Sequence, residues 1–292
     1  MSLHAIPLSR FAAYAMRALL VLALLVGTGC LDAPPSNRAL AIDAASWFPD
    51  NPKAQQLILA ADAGRVDEVR RLMKDEGVNP DKIFSREAKY PLIAFLVMYK
   101  YPKPLQVLLE NGADPNARHA LKTHDRGIRT QDNAMVWAAK ADDTIYLKLL
   151  LDHGGDPNTR NANNETLLVQ AFLWGKQWQN VKLLVERGAD VNAKTRNQPF
   201  ISEYAGGGGF EPTYWLLQHG ANPDNDDEDP AYKTTINAIF WYPSKPGYVE
   251  WQRKCQQWLL ERGYKRTPMP SHIKDMRKSF GYPTEEKDIP LL

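Results

Sequence analysis

The sequence predicts an all-α solenoid of about six helix-turn-helix repeats, joined by hairpin-like connections and closed by atypical ends. Three observations predict it. Six glycines, Gly77, Gly112, Gly154, Gly188, Gly220 and Gly263, recur at spacings of 35, 42, 34, 32 and 43 residues. Each stands in a related segment: "LMKDEGVNPD", "LLENGADPNA", "LLDHGGDPNT", "LVERGADVNA", "LLQHGANPDN" and the weaker "LLERGYKRT". A second block recurs upstream, as "LILAADAGRVDEVRRLM" in the first copy, "MVWAAKADDTIYLKLLL" in the third and "LLVQAFLWGKQWQNVKLLV" in the fourth. Self-similarity at such a period marks a repeat array, in which no unit buries its apolar face alone and stacking supplies the core.

The first thirty residues stand apart from the repeats. Arg10 and Arg17 precede an unbroken apolar run from Ala18 to Val26, followed by Gly27-Thr28-Gly29-Cys30. A basic start, a short apolar stretch and small residues at a cleavage point are the layout of a secretory signal. The apolar run is too short to cross ~30 Å of hydrocarbon as a helix. "LLVGTGC" resembles the lipobox of bacterial lipoproteins, with Gly27 where that family usually carries a larger aliphatic residue. The resemblance implies that Cys30 becomes the first residue of the mature chain and carries lipid. By the same family's sorting habits, Leu31 directly after the cysteine implies the outer membrane. An ordinary signal cleaved near Gly29 is the alternative.

Removal of residues 1–30 takes two of the 36 basic residues and none of the 34 acidic ones, so the mature chain is formally neutral. Nucleic-acid binding through a bulk basic excess is thereby excluded. Cys255 is the only other cysteine, so no internal disulfide and no cysteine-rich zinc motif is expected. Residues 31–53 read as a tether leading to an N-terminal cap around Trp47 and Phe48, residues 54–266 as the repeat domain, and residues 267–292 as a tail with one short basic helix near Ile273–Lys278.

Within the repeats, Ala60/Ala61 and Ala138/Ala139 are small residues on a first helix, where neighbouring units must approach closely. The leucine pairs sit at helical spacing on a second helix. The glycine after it supplies a left-handed residue at the helix end, and the following Asp and Asn suit a tight turn. These residues resemble the ankyrin repeat. The match is best in copy one (Ala60, Ala61, Gly64, Val69, Leu72) and in the G-A-D-x-N turns of copies two and four. The Thr-Pro-Leu-His block of that family is represented only by "YPLI" (Tyr90–Ile93) and "TLLV" (Thr166–Val169), without its histidine. The sixth copy is stretched and carries Trp241, Tyr242, Tyr248, Trp251 and Trp258, which read as a capping group or a binding surface.

Motifs of catalysis are missing: no G-x-S-x-G, H-E-x-x-H, phosphate-binding glycine loop or Cys-x-x-Cys occurs. "AGGGGF" (Ala205–Phe210) lies where copy one has Gly64 and reads as an inter-helix turn. "DNDDEDP" (Asp224–Pro230) lacks the glycine and terminal glutamate of an EF-hand loop and reads as a solvated loop. His153 and His219 precede turn glycines, where a basic side chain faces helix-end carbonyls. No enzyme activity, cofactor or metal is expected.

Two connections depart from the period. The second, between "NGADPNA" and "MVWAAK", is longer by about nine residues and carries Arg118, His119, Lys122, His124, Arg126 and Arg129. Long insertions in compact folds tend to be functional or disordered. The fifth connection carries Asp226, Asp227 and Glu228. Trp137 and Trp174, by repeat register, either face the concave side or fill the core between repeats. Trp and Arg are enriched at interface hot spots, and opposite charges steer a partner. These residues form the expected partner-binding set. Among exported proteins of this repeat class, the chain resembles the immunity lipoproteins that neutralise effectors of type VI secretion, phospholipases included. That resemblance implies a membrane-tethered periplasmic inhibitor in a one-to-one complex with a secreted effector enzyme. A periplasmic scaffold or stress-related adaptor for envelope proteins is the alternative.

Overall fold

The structure, a computed structural model, describes residues 37–123, 127–175, 177–224, 234–243 and 246–292. Cys30 and the segment before it lie outside the described residues. Two compact units make up the chain: one runs to Trp137 and takes in Asp152–Gly155, the other comprises Ala138–Leu151 and Asp156–Leu292.

The first unit opens with α1 (Arg38–Trp47) and continues through α2 (Pro52–Asp62), α3 (Val66–Arg70), α4 (Leu92–Met98) and α5 (Pro102–Glu110). Helix α2 starts where the Asn51 side chain accepts the Ala54 N–H at 3.0 Å and Pro52 occupies the first turn, the position where a missing N–H costs nothing. Leu40 and Ala44 of α1 are fully buried, and Phe48 follows at 2% exposure. Trp47 donates from Nε1 to the Tyr99 hydroxyl at 2.7 Å, and the Tyr101 hydroxyl donates to Asp43 at 2.8 Å. An amphipathic helix with two polar anchors thus closes the open side of the first repeat. The hairpin of β1 (Ala120–Thr123) and β2 (Gly127–Thr130) follows α5.

The two units divide the third repeat, made of α6 (Ala134–Lys140) and α7 (Ile145–Asp152). The second unit then runs through α8 (Leu167–Leu173), α9 (Trp178–Glu186), the short ribbon β3 (Lys194–Thr195) and β4 (Gln198–Pro199), α10 (Phe200–Ala205), α11 (Phe210–Gln218), α12 (Thr234–Trp241), α13 (Val249–Glu261) and α14 (Ser271–Ser279). Its last inner helix is covered by the tail. Trp241 is 1% exposed, donates to the Thr267 carbonyl at 2.9 Å, and carries the Arg266 guanidinium 3.6 Å above its ring.

The repeated glycines explain how each unit ends. All six adopt positive φ, from +67° at Gly77 to +97° at Gly112. Beyond them, Ala113 donates back to the Leu108 carbonyl, Ala189 to Leu184, Ala221 to Leu216 and Tyr264 to Leu259, at 2.9–3.1 Å. This is the six-to-one closure of a glycine-capped helix. The first copy has one more residue between its leucine and glycine, and the backbone absorbs it in a π-helical turn over Arg71–Asp75. Val78 still reaches the Leu72 carbonyl, at 2.9 Å.

The Asp and Asn of the turns divide their work. Asp114, Asp156 and Asp190 each accept the N–H two residues on, at 2.8–2.9 Å, and so fix their own turn. Asn116, Asn158 and Asn192 reach across to the next turn and donate to the Gly154, Gly188 and Gly220 carbonyls at 2.9–3.1 Å. The oxygens of Asn158 and Asn192 accept the N–H of Asp190 and Asn222 in return. Polar groups on the turns therefore set the spacing of repeats whose contact surfaces are apolar. The small residues of the first helices lie within the core: Ala60, Ala61, Ala138 and Ala139 are fully buried. Each fully buried leucine, such as Leu105 or Leu147, contributes about 2 kcal/mol by burial alone.

Candidate protein-binding surface

The long second connection is an antiparallel ribbon. Its register pairs Ala120 with Thr130, Leu121 with Arg129, Lys122 with Ile128 and Thr123 with Gly127. Lys122 and Arg129 therefore stand on successive rungs, while His124 and Arg126 lie outside the described residues. The base of the ribbon is well anchored. Gln131 donates to the His119 carbonyl at 3.1 Å, and the His119 ring meets Phe84 edge-on at 4.5 Å. Asn133, 1% exposed, caps α6 by accepting the Val136 N–H at 3.2 Å. Arg118 is half-buried at this base; burial pushes its guanidinium below the usual range, and nearby Asp132 opposes that shift. The insertion is thus an extension of a fixed repeat turn, and its backbone ladder includes Lys122 and Arg129.

The two tryptophans have different surroundings. Trp137 is half-buried and meets Tyr90 edge-on, with ring centroids 5.5 Å apart. Trp174 is 57% exposed and follows Leu173, itself 53% exposed. Helix α8 stops at Trp174 because Gly175 takes φ +106°, and the Gln177 N–H returns to the Ala171 carbonyl at 2.8 Å. Among the described residues, no segment past that tight reversal covers the indole. Lys140, at the end of α6, places Nζ 5.1 Å from the ring centroid, within cation–π range. The result is an apolar platform with a cation beside it. Exposed aromatic and cationic side chains in this combination suit the centre of a protein interface.

Asp226, Asp227 and Glu228 lie outside the described residues. His219, by contrast, is placed: its Nδ1 is 2.7 Å from the Trp215 carbonyl and its ring stacks on Trp215 at 3.6 Å. The quartet of glycines forms the turn from α10 to α11, with Gly208 at φ +74° as Gly64 is at +70°. Among the described residues, no three His, Cys, Asp or Glu side chains stand close enough together to hold a metal ion. Nor is any described helix long and apolar enough to cross a membrane.

Two features of this exposed platform were beyond sequence reasoning. Leu173 continues the Trp174 platform, yet in the sequence it is one more apolar residue of an inner helix. Lys140 belongs to the preceding repeat and joins the platform only through stacking.

Comparison with known proteins agrees with this architecture. Residues 117–195 match a protein-family profile described as "Ankyrin repeats (3 copies)". Among solved structures, the chain is similar to the ankyrin repeat domain of Bcl-3, described as a unique member of the IkappaB protein family. The TM-score is 0.52 at 23% identity, over 74% of this chain and 89% of that one. It is also similar to an ankyrin repeat domain from Acinetobacter baumannii AYE, with a TM-score of 0.51 at 21% identity, over 72% of this chain and 98% of that one. No curated protein matches the chain. Ankyrin repeats serve as protein-binding modules, and stacks of this kind are scaffolds for binding rather than catalysis. The protein has the ankyrin-repeat fold, an all-α solenoid of helix-turn-helix units.

Proposed function

We propose that this chain is exported, lipid-anchored through Cys30 on the periplasmic side of the outer membrane, and binds a secreted antibacterial effector to block it. The observation that carries the binding reading is the Trp174–Leu173 platform, more than half exposed at both residues and flanked by Lys140. A folded protein gains nothing by leaving a tryptophan there, whereas a partner that buries it gains hot-spot energy. The basic ribbon supplies charge to steer an acidic partner and fix its register. The export signal, the lipobox resemblance and the likeness to immunity lipoproteins support the inhibitor reading. An inhibitor of an enzyme that attacks the bilayer, such as a phospholipase, works best tethered beside that bilayer.

The mechanism is occlusion: the repeat surface and its long ribbon cover the effector's catalytic cleft. The test is capture with the mature chain as bait, from the secreted proteins of competing bacteria and from the native envelope. The reading expects a one-to-one complex with a secreted hydrolase whose activity is abolished. Recovery of endogenous envelope proteins alone would replace it with a scaffold role.

A further inference from the structure

The second unit contains a cavity of about 140 Å³ bounded by the end of α12, one face of α13 and the last residues of the chain. Its wall is mostly apolar, with Phe240, Val249 and Ile289 among the lining residues. Two polar side chains are set into that wall, Gln252 at 2% and Arg277 at 5% exposure. Gln252 has an unmatched oxygen, and Arg277 has no carboxylate partner among the described residues.

Gln252 donates from Nε2 to the carbonyls of Ile239 and Tyr242, each at 3.0 Å. Those two bonds fix the orientation of the amide. Its Oε1 is buried and accepts from no group among the described residues. Arg277 donates from Nε to the Pro283 carbonyl at 2.6 Å and from Nη1 to the Trp241 carbonyl at 2.7 Å. Both acceptors are neutral; the guanidinium also lies 5.8 Å from the Tyr282 ring centroid, and Arg266 adds a repulsive positive charge that Tyr282 opposes. A buried guanidinium is strongly favoured by a carboxylate partner. A buried amide oxygen is likewise favoured by a donor.

The neighbouring turn of α13 shows how such an oxygen is used. Gln256 also lines the cavity. Its Oε1 accepts the main-chain N–H of Leu292 at 2.9 Å, while its Nε2 donates to the Ile239 carbonyl at 3.1 Å. Helix α13 therefore carries two oriented glutamine oxygens one turn apart, and a main-chain N–H already reads one of them.

We infer that this cavity binds a carboxylate flanked by an amide N–H and an apolar body, the chemistry of a peptide chain end or an N-acylated amino acid. The carboxylate pairs with the Arg277 guanidinium, the amide N–H donates to Gln252 Oε1, and the apolar body packs against Phe240 and Val249. A cavity near 150 Å³ accommodates a benzene-sized group, so one aliphatic side chain of leucine size fits. The site goes beyond the partner-binding reading and does not depend on it.

Titrating N-acetyl-leucine, N-acetyl-leucinamide and a leucine-terminated pentapeptide into the mature chain tests the assignment, with the side-chain NMR signals of Gln252 and Arg277 as readout. The acid saturates both signals, and the carboxamide binds about ten-fold or more weakly, because the charge-assisted bond to Arg277 is lost. Val249→Trp fills the cavity from the first turn of α13 while leaving Gln252 and Arg277 in the sequence, and it abolishes the response. Tighter binding of the pentapeptide than of the acetylated amino acid identifies a chain end as the ligand; equal binding identifies the small acylated acid. No saturable change with any probe, equal affinity for acid and carboxamide, or undiminished binding in Val249→Trp would each overturn the proposal and leave a water-filled cavity.

Discussion

Asn180 gives the sharpest test of how the repeats are held together. This residue of α9 is 1% exposed, and its Nδ2 lies 3.3, 3.1 and 2.8 Å from the carbonyls of Ala138, Ala139 and Ala141. These carbonyls lie at and just beyond the end of α6; Ala138 also accepts the Ala141 N–H at 3.2 Å, whereas such end carbonyls otherwise lack an intrahelical partner. One amide from the next repeat thus satisfies the end of the previous repeat's inner helix. The NH2 group has two hydrogens, so truncation leaves about two buried carbonyls unmatched, each costing ~1–3 kcal/mol. Asn180→Ala is expected to cost about 3 kcal/mol, the lower half of that range, because some water will reach the site. Asn180→Asp keeps the volume but turns a donor into an acceptor facing the negative end of a helix, and should cost about 1 kcal/mol more. For a chain of this size, 3 kcal/mol corresponds to a fall in Tm of roughly 6–12 °C. Urea and thermal melts followed by circular dichroism measure both variants, and hydrogen exchange localises the loss to α6. An Asn180→Ala cost below about 0.5 kcal/mol, or an Asn180→Asp variant as stable as wild type, would refute the cross-repeat clamp.

Other expectations concern strain, titration, anchoring and steering. Gly64 and Gly208 share a positive φ, but an added Cβ meets only the Lys103 tip at 3.9 Å at the first and Tyr242 Cε1 at 2.6 Å at the second. Gly64→Ala should therefore cost only the left-handed penalty of about 1–2 kcal/mol, and Gly208→Ala clearly more, as read by paired chemical melts. Burial pushes the Cys255 thiol from its ordinary value near 9 up to about 12. The folded state holds that proton more tightly, so this stability is intact below pH ~9 and is lost toward pH ~12, at up to about 1.4 kcal/mol per pH unit. Cys255→Ala should remove that part of the alkaline slope; identical slopes in the two proteins would exclude it. Metabolic labelling with a fatty acid should mark the wild-type chain and leave Cys30→Ser unmarked, while an unlabelled wild type removes the anchor. Charge reversal at Lys122, Arg126 and Arg129 should slow association with the partner and weaken its salt dependence, measurable by stopped flow at two ionic strengths.

Much of the architecture was legible because it rests on local chemistry. A glycine at each helix end, an Asp for the turn and an alanine pair for close approach are requirements that a sequence states directly. The Asn of each turn was legible as a turn residue, yet its main role is the bond to the next repeat's glycine, which only stacking reveals. The same holds for Asn180, Gln252 and Gln256, which look like polar residues on outer helices and instead cap inner ones. Trp137 and Trp174 show the limit most plainly. Both were expected on one face or in the core by register alone, but Tyr90 flanks the first, while the reversal at Gly175 leaves the second open. Neither neighbour is set by helical periodicity. The extra residue in the first copy was not singled out from the glycine spacing; the structure shows it absorbed in a π-turn, with Val78 keeping its bond to Leu72.

The central claim is that the Trp174 platform binds a protein partner, and the most direct measurement is calorimetry of the captured partner with wild type and Trp174→Ala. The indole is exposed, so the substitution should leave Tm unchanged. Binding should weaken about thirty-fold or more, the loss expected of a tryptophan hot spot near 2 kcal/mol. An unchanged affinity in a folded Trp174→Ala variant would contradict the account and move the interface elsewhere on the repeats.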